Sequence, residues 1–491
     1  MRRILLILLC GYLAVLLLAQ PSPAKSTKSA VHKGASALLP ISSSSQQARD
    51  LFEKAMVDYE NLHIDRATEG WRAAAKGDPN FALAHAWIAF SSTDPVEVSA
   101  ERQKAKALAA GVSKGEQLMI HWIAGVQENN FVAGISAMND MLAMYPKDKR
   151  LFFLASNWLM NESEDEQAGK MCQRALALDK NYPAALNNLA YADARQGNFS
   201  VAFAAMEHYI KVLPNEPNPH DSYGELLRMA GHYEKALEQY RASLKIDPKF
   251  YVSQTGLGDT YALMGEEERA RAEYAKAILA DPDEANKLLF SIQSAITWVR
   301  ENKFDEADKA FDAVADQAHG KALDLFEARA HRLMSMYQKS DSDALKHLDA
   351  AEAALSHQQE MSQSDREEER SQILRWRAVR AWHDGDQEVA QKALRQLEAM
   401  AKDSRSTVIQ RSYHAAEGSV LAAQQKFADA INNLQEDPND PYCLELLSGA
   451  YNQTGATQQM HDAESRLRAI HLPTMEQALV VVPGRAKQPM N

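Results

Sequence analysis

The chain has 491 residues, 46% of them hydrophobic, and a formal net charge of −12 at pH 7. This charge argues against a nucleic-acid partner, because duplex affinity rests on neutralisation of phosphates by Lys and Arg. Three cysteines are too few for a disulfide scaffold. Ala, Leu, Glu, Gln, Lys and Met recur without sustained period-2 runs of β-branched residues, so we predict an all-α protein.

Residues 1–24 have the layout of a secretory signal peptide. Arginines precede an apolar run over residues 4–19, and Ser22 and Ala24 supply small residues at the −3 and −1 positions of a cleavage site. Because the run is shorter than the roughly 20 residues that span a bilayer, we predict cleavage and export, to the periplasm or outside the cell. The alternative is an uncleaved anchor, and membrane contact is predicted only in that case.

A pattern of small and large residues begins after a region without apolar periodicity. Residues 25–45 lack that periodicity and are predicted to be a linker. Residues 46–147 are predicted to be degenerate helical repeats, in which Trp122 occupies a position expected to be small. The landmarks of the first window are Ala55, Ala67, Trp71, Ala74 and Pro79.

Residues 148–284 carry the pattern most strongly, with a period of 34 residues. In two successive windows Gly224, Gly231, Ala236, Tyr240 and Pro248 recur as Gly258, Gly265, Ala270, Tyr274 and Pro282. Earlier windows place Ala190, Ala202, Met206 and Pro214, and before them Ser156, Ala168 and Cys172, at matching positions. We therefore predict that this segment is the core of a repeat array.

The G-x-G of Gly256 and Gly258 raises the question of a dinucleotide site. Such a site follows an apolar β-branched strand, whereas the residues before Gly256 are few and polar. We predict instead that the glycines let a second helix approach closely. Gly231 and Gly265 fall where the first helix of a pair must end, and each suits a left-handed C-cap. Glu267 is predicted to pair with Arg271 four residues later.

Residues 285–471 keep helical spacing and are predicted to be degenerate repeats, and residues 472–491 a tail. A polar segment from His357 is predicted to be a long exposed helix or a loop that breaks the register. The segment from Arg366 mixes arginines with Trp376, and this combination can bind single-stranded nucleic acid. Neighbouring glutamates offset the charge, which favours a solvated amphipathic helix.

The fixed period and the order of small, small, large and proline landmarks resemble the tetratricopeptide repeat family. The resemblance implies an all-α, right-handed superhelical α-solenoid of stacked antiparallel helix pairs. Each pair would contact only its neighbours. The resemblance also implies that the first helix of each pair lines a concave groove for peptides or partner proteins.

Groove positions of the family fall on eight polar residues of this sequence: Asn187, Asn188, Tyr191, Arg195, Asp221, Glu225, Arg228 and Asp259. The lysine-rich carboxylate clamp of some members is absent, because Asp221 and Thr255 stand where lysine would be needed. The cluster of Asp221, Glu225 and Asp259 would suit a basic or amine-bearing ligand. The alternative is that these residues are ordinary solvent-facing polar groups.

The sequence shows no motif for catalysis, metal binding or phosphate binding. The closest histidines in sequence are His347 with His357 and His461 with His471, and no pair has helical i, i+4 spacing. Cys172 falls at a large apolar landmark and is predicted to be a core residue, too far from Cys443 for a disulfide. We therefore predict no enzyme activity, no cofactor and no metal site.

The sequence as a whole indicates an exported, non-enzymatic scaffold that binds a peptide or partner protein. Two alternatives stay open. One is a membrane-tethered assembly or envelope-biogenesis factor, and the other is a hydrolase or metalloenzyme that uses the degenerate C-terminal half. The identity of the partner and the oligomeric state are not encoded in these patterns.

Overall fold

The computed structural model describes residues 38–357 and 360–481, and all regular secondary structure within them is helical. Helices α1 to α12 span Gln46–Glu60, Ile64–Gly77, Ala82–Ser91, Pro95–Leu108, Lys114–Gln127, Phe131–Met144, Lys149–Asn161, Asp165–Leu178, Pro183–Arg195, Phe199–Val212, Pro217–Met229 and Tyr233–Ile246. Helices α13 to α25 span Tyr251–Leu263, Glu267–Ala280, Glu284–Arg300, Phe304–Gly320, Asp324–Tyr337, Asp341–His357, Gln363–Asp384, Gln387–Asp403, Thr407–Ala423, Phe427–Leu434, Pro441–Gln453, Thr457–Arg468 and Met475–Val480.

Helices α1 to α24 form successive pairs, each odd-numbered helix packing on the even-numbered helix that follows. The turns within pairs are short, so the two helices of a pair run antiparallel. This arrangement confirms the predicted all-α solenoid. The predicted signal peptide or anchor lies outside the described residues. None of the described helices combines the length and the apolarity that crossing a bilayer requires.

The small landmarks are contact points between helices, as predicted. A Cβ atom on Gly258 would lie 2.7 Å from the ring of Tyr274, so this position must be glycine for the two helices to approach. Gly231 and Gly265 have φ values of +77° and +74° at the ends of their helices. These left-handed conformations confirm the predicted C-caps.

The core is continuous in the N-terminal part, where aromatic side chains fill the space between helices. Trp71 and Trp87 lie with ring centroids 5.0 Å apart, and both are buried. Cys172 and Cys443 are buried free thiols, which agrees with the prediction that they do not pair. Burial raises the pKa of Cys172 to about 12, so this thiol is inert.

Residues 38–45 belong to the predicted linker but pack against the repeats. The backbone N–H of Leu39 donates to Asp148 Oδ2 (3.0 Å), and Ser42 Oγ donates to Glu116 Oε2 (2.7 Å). The side chains of Leu39 and Ile41 pack on the N-terminal core. The first described segment is therefore fixed to the surface of the first repeats.

The polar segment from His357 is not an exposed interruption. Helix α18 ends at His357, and α19 begins at Gln363 and runs for 22 residues. Glu369 in α19 is buried because Arg332 and Arg329 from α17 pair with it. Glu369 thus forms buried ion pairs within a polar stretch of sequence, and a count of polar residues cannot distinguish such burial from solvent exposure.

The predicted tail from residue 472 does not hold for residues 472–481. Helix α25 packs on α15, α17 and α23, which are first helices of different pairs. Met475 is 1% exposed and Gln477 is also 1% exposed. The chain therefore returns after its last repeat and inserts a short helix into its own concave side.

Contacts also join repeats that are distant in sequence, contrary to the expectation that only neighbours touch. Ser364 Oγ in α19 donates to the carbonyl oxygen of Val126 in α5. Thr407 Oγ1, at the start of α21, donates to the carbonyl oxygen of Glu162 (3.0 Å), after α7. The superhelix thus closes on itself, and its concave side surrounds a partly open space.

Candidate interaction cavity

The closed superhelix surrounds a cavity of about 380 Å³, here called the central cavity. First helices of the pairs, from α9 to α21, supply most of its wall, as the family resemblance implied. Its carboxylates come from Asp65, Glu162, Asp221, Glu225, Asp259, Asp365, Glu368, Glu369, Asp437, Asp440 and Glu476. Its arginines are Arg228, Arg329, Arg332, Arg375 and Arg411, and no lysine belongs to the described lining.

All eight sequence-predicted groove residues lie on this concave side. The central cavity contains Tyr191, Asp221, Glu225, Arg228 and Asp259. A smaller neighbouring cavity of about 50 Å³ contains Asn187, Asn188 and Arg195 and shares Tyr191 and Glu225. The structure therefore brings the predicted residues together; their role in ligand binding stays a prediction.

Arg228 organises the wall formed by α11 and α13. Its Nη2 atom lies 3.2 Å from Glu225 Oε1 and 3.7 Å from Asp259 Oδ2. Tyr191 Oη donates to Glu225, and Tyr274 Oη donates to Asp259 Oδ1 (2.7 Å). The side chain of Arg228 is 2% exposed, and its Nη1 atom has no hydrogen-bond partner among the described residues.

Asp221 is the least compensated carboxylate of this wall. Its Oδ1 atom accepts a hydrogen bond from Ser253 Oγ (2.6 Å). Burial raises the pKa of Asp221 to about 7, and the hydrogen bond from Ser253 opposes that rise only in part. Burial also raises the pKa of Asp259. A cation placed beside these groups would favour their ionised form.

The opposite wall carries most of the arginines, and carboxylates of the chain itself engage them. Arg329 and Arg332 hold Glu369, and Arg375 Nη1 lies 3.1 Å from Asp440 Oδ2. Sequence reasoning missed this wall because the segment that contains Arg375 was attributed to a solvated helix, and no pattern singled out Arg329 or Arg332. The available signal was the Arg and Trp spacing in α19, which places Arg375 and Trp376 on buried faces.

Helix α25 closes one side of the central cavity. Gln477 accepts a hydrogen bond from Arg300, whose Nε atom also lies 3.1 Å from Glu267 Oε1. Glu267 therefore pairs with Arg300 rather than with Arg271, the partner predicted from i, i+4 spacing; Arg271 pairs with Glu301 (2.6 Å). Contact between neighbouring helix pairs therefore determines the partner of Glu267, and the i, i+4 spacing within its own helix does not.

Glu476 projects from α25 into the central cavity. Burial raises its pKa, with Asp440 adding to the rise and Arg375 opposing it. The carboxylates of the lining outnumber its arginines by more than two to one, and Glu369 and Asp440 hold three of those arginines in ion pairs. The formal charge of the described lining is therefore negative, which favours cations.

Comparison with known proteins agrees with the repeat architecture. A tetratricopeptide repeat family profile matches residues 227–289. TPR repeat-containing protein YpiA from Bacillus subtilis is 28% identical over 152 residues, which cover 30% of this chain and 36% of YpiA. The peroxisomal targeting signal receptor from Kluyveromyces lactis is 25% identical over 160 residues, covering 32% of this chain and 28% of the receptor.

The chain thus spans about a third of the length of these two curated relatives. Among solved structures, the match to yeast Tom70 covers 85% of this chain and 95% of the Tom70 chain, at 16% identity and a TM-score of 0.42. The profile match shows tetratricopeptide repeats over residues 227–289 of this chain.

Proposed function

We propose that this protein is an exported, non-enzymatic scaffold whose central cavity binds a basic segment of a peptide or partner protein. The observation that carries the proposal is the excess of carboxylates over arginines in a concave wall shared by many repeats. A guanidinium or ammonium group would supply the missing positive charge. Such charge-assisted hydrogen bonds are the strong class in a desolvated site.

The size of the central cavity supports a short segment rather than a folded domain. Its volume of about 380 Å³ falls within the 300–1,000 Å³ range, roughly, of small-ligand pockets. One or two long basic side chains and their backbone would fill that space. The α11–α13 wall, with Asp221 and Glu225, is the place where we expect the cationic head to lie.

Cys443 contacts Arg375 in the wall of this cavity, and its environment argues against nucleophilic chemistry. Burial and the nearby Asp440 carboxylate raise the pKa of Cys443 well above its usual range. A catalytic thiol needs the opposite shift. This supports the non-enzymatic part of the proposal.

Export is proposed from the N-terminal sequence. The apolar run over residues 4–19 and the small residues before position 25 are the features that support it. N-terminal sequencing of the protein recovered from its native host tests this directly. A start near residue 25 is expected, whereas a chain that keeps residues 4–19 would identify a membrane-tethered protein instead.

Peptide selection from a random library on the purified protein tests the ligand class. We expect enrichment of Lys and Arg, and at least about a tenfold loss of affinity in the double variant Asp221→Asn/Glu225→Gln, since each tenfold equals about 1.4 kcal/mol. Val252→Trp, which fills the cavity without changing charge, should weaken binding as well. Fluorescence anisotropy of a labelled selected peptide measures its affinity for the unaltered protein, the double variant and Val252→Trp.

The matched control is Asp384→Asn/Glu388→Gln, which makes the same charge change at exposed positions outside the cavity. It should bind the peptide as the unaltered protein does.

Because the pKa of Asp221 is about 7, a cationic peptide should bind more tightly as pH rises from 6 to 8, and Asp221→Asn should flatten that dependence. Enrichment of acidic peptides, or equal losses in control and cavity variants, would refute the proposal.

A further inference from the structure

The ends of three consecutive helices bring two histidines and a glutamate together, and none of these three residues belongs to the central cavity lining. His319 lies in the last turn of α16, Glu327 in the first turn of α17, and His357 is the last residue of α18. Their ligand atoms all lie within 4.8 Å of one another. We propose that His319, Glu327 and His357 form a binding site for a divalent transition metal of the zinc class.

The fold places these residues at one edge of the solenoid. Helices α16, α17 and α18 run in alternating directions, so the end of α16, the start of α17 and the end of α18 meet. His319 Nδ1 lies 3.1 Å from Glu327 Oε2. The ring centroids of His319 and His357 are 6.3 Å apart, with the rings nearly perpendicular.

The donor set fits zinc better than calcium or magnesium. Two imidazoles and one carboxylate are a set that zinc uses with a water molecule as fourth ligand. Metal–ligand bonds of about 2.0–2.1 Å in a tetrahedron put neighbouring donors slightly more than 3 Å apart. The 3.1 Å between His319 Nδ1 and Glu327 Oε2 matches that requirement. A His357 ligand atom lies within 4.8 Å of the other two, so His357 would have to move closer to complete the tetrahedron.

The surroundings of the site provide outer-shell support and access. The His319 side chain is 66% exposed, whereas that of Glu327 is 15% exposed, so metal can enter while the carboxylate is held. Asp324, one turn before Glu327, interacts electrostatically with both histidines. Carboxylates beside metal-binding histidines commonly fix the ring orientation and raise affinity.

A second group of potential ligands in the described ranges does not carry the same inference. Asp437, Asp440 and Cys443 also converge, and all three are buried. Arg375 already occupies that place, with Nη1 3.1 Å from Asp440 Oδ2 and Nη2 3.9 Å from Cys443 Sγ. Its guanidinium group supplies the positive charge that a metal ion would otherwise bring.

Titration of the full chain, without a histidine tag and after chelator treatment, tests the proposal. We expect one Zn²⁺ per chain by calorimetry, and a visible d–d spectrum when Co²⁺ replaces it. The double variant His319→Ala/His357→Ala should lose affinity by more than the roughly 10- to 100-fold that outer-shell changes cause. Zn²⁺ should also raise the melting temperature of the unaltered protein but not of this variant.

Two controls separate the site from other histidines. His461→Ala removes an exposed histidine beside Glu464, and His331→Ala removes one of a stacked pair with His347, whose ring centroids are 5.6 Å apart. Both variants should bind Zn²⁺ as the unaltered protein does. Failure of the unaltered chain to bind one equivalent, or loss of binding in a control while the double variant binds normally, would overturn the proposal.

Discussion

Tyr240 lies between α11 and α13 because glycine on both helices leaves room for its ring. A Cβ atom on Gly256 would lie 2.3 Å from Tyr240 Cε1, and one on Gly224 would lie 3.0 Å from the same ring. Tyr240 is 2% exposed and cannot move outward. Gly256→Ala should therefore destabilise the protein by about 1–3 kcal/mol, the usual cost of overpacking. Urea unfolding followed by circular dichroism measures this change.

Gly449→Ala is the matched control, since it also replaces a helical glycine. Gly449 is exposed in α23, and no heavy atom of a neighbouring group lies within 4 Å of a Cβ placed there. The substitution should stabilise the helix by roughly 0.5–1 kcal/mol. Equal effects of the two substitutions on stability would mean that helix propensity, rather than the contact with Tyr240, determines the effect of replacing Gly256.

The landmark residues were predictable from sequence because their spacing encodes close approach between helices. The partners of charged residues were not. Glu267 was expected to pair within its own helix, yet it pairs with Arg300 from the next pair of helices. Arg228 was placed in an open groove, but it is buried between Glu225 and Asp259. Such pairings depend on the curvature of the stack, which local spacing does not contain.

Helix α25 is the element that sequence patterns missed most clearly. Six residues are too few for a recognisable helical period, and the helix is held by contacts with α15, α17 and α23 rather than by its own propensity. Met475 is buried among side chains of the C-terminal core. Short segments of this kind take their structure from the surface they bind, as ligands of the groove would.

Removal of residues 472–491 should therefore expose the concave face of the C-terminal half. We expect faster hydrogen exchange in α15, α17 and α23, and a stability loss of about 2 kcal/mol from the burial of Met475 alone. Exchange in α1 to α6 should not change. Hydrogen-exchange mass spectrometry resolves these helices individually.

Removal of residues 482–491 alone is the control for this truncation, because it keeps α25 intact. Its exchange pattern should match that of the full chain. If both truncations gave the same pattern, α25 would not be docked in solution. If the longer truncation unfolded the N-terminal repeats as well, α25 would stabilise the whole fold rather than only cover the concave face of the C-terminal half.

At the scale of the whole molecule, polar contacts between distant repeats close the superhelix. Ser364 and Thr407 donate to carbonyl oxygens of distant repeats, and Arg411 Nη1 donates to Ser163 Oγ (3.0 Å). Each such bond contributes about 0.5–1.5 kcal/mol net. The repeat period predicted the stacking of neighbours, but these contacts between distant repeats depend on accumulated curvature and left no signal in the sequence.

Closure determines whether the central cavity is enclosed, so breaking it should change the shape of the molecule. Ser364→Arg/Thr407→Arg introduces two charged side chains where α19 and α21 meet the N-terminal repeats. A compact chain of this length has a radius of gyration of roughly 23 Å. We expect the unaltered protein to lie near that value and the double variant to be clearly larger, with unchanged helix content.

Small-angle scattering on monodisperse samples measures this difference, and Gln391→Arg/Gln459→Arg provides the same charge change at exposed positions. That control should scatter like the unaltered protein. An extended unaltered protein, with scattering equal to that of the double variant, would show that the ring is open in solution. The excess of carboxylates would then face bulk water, where screening weakens its attraction for a basic segment. Binding of a basic segment, as proposed above, is therefore expected only from the closed ring.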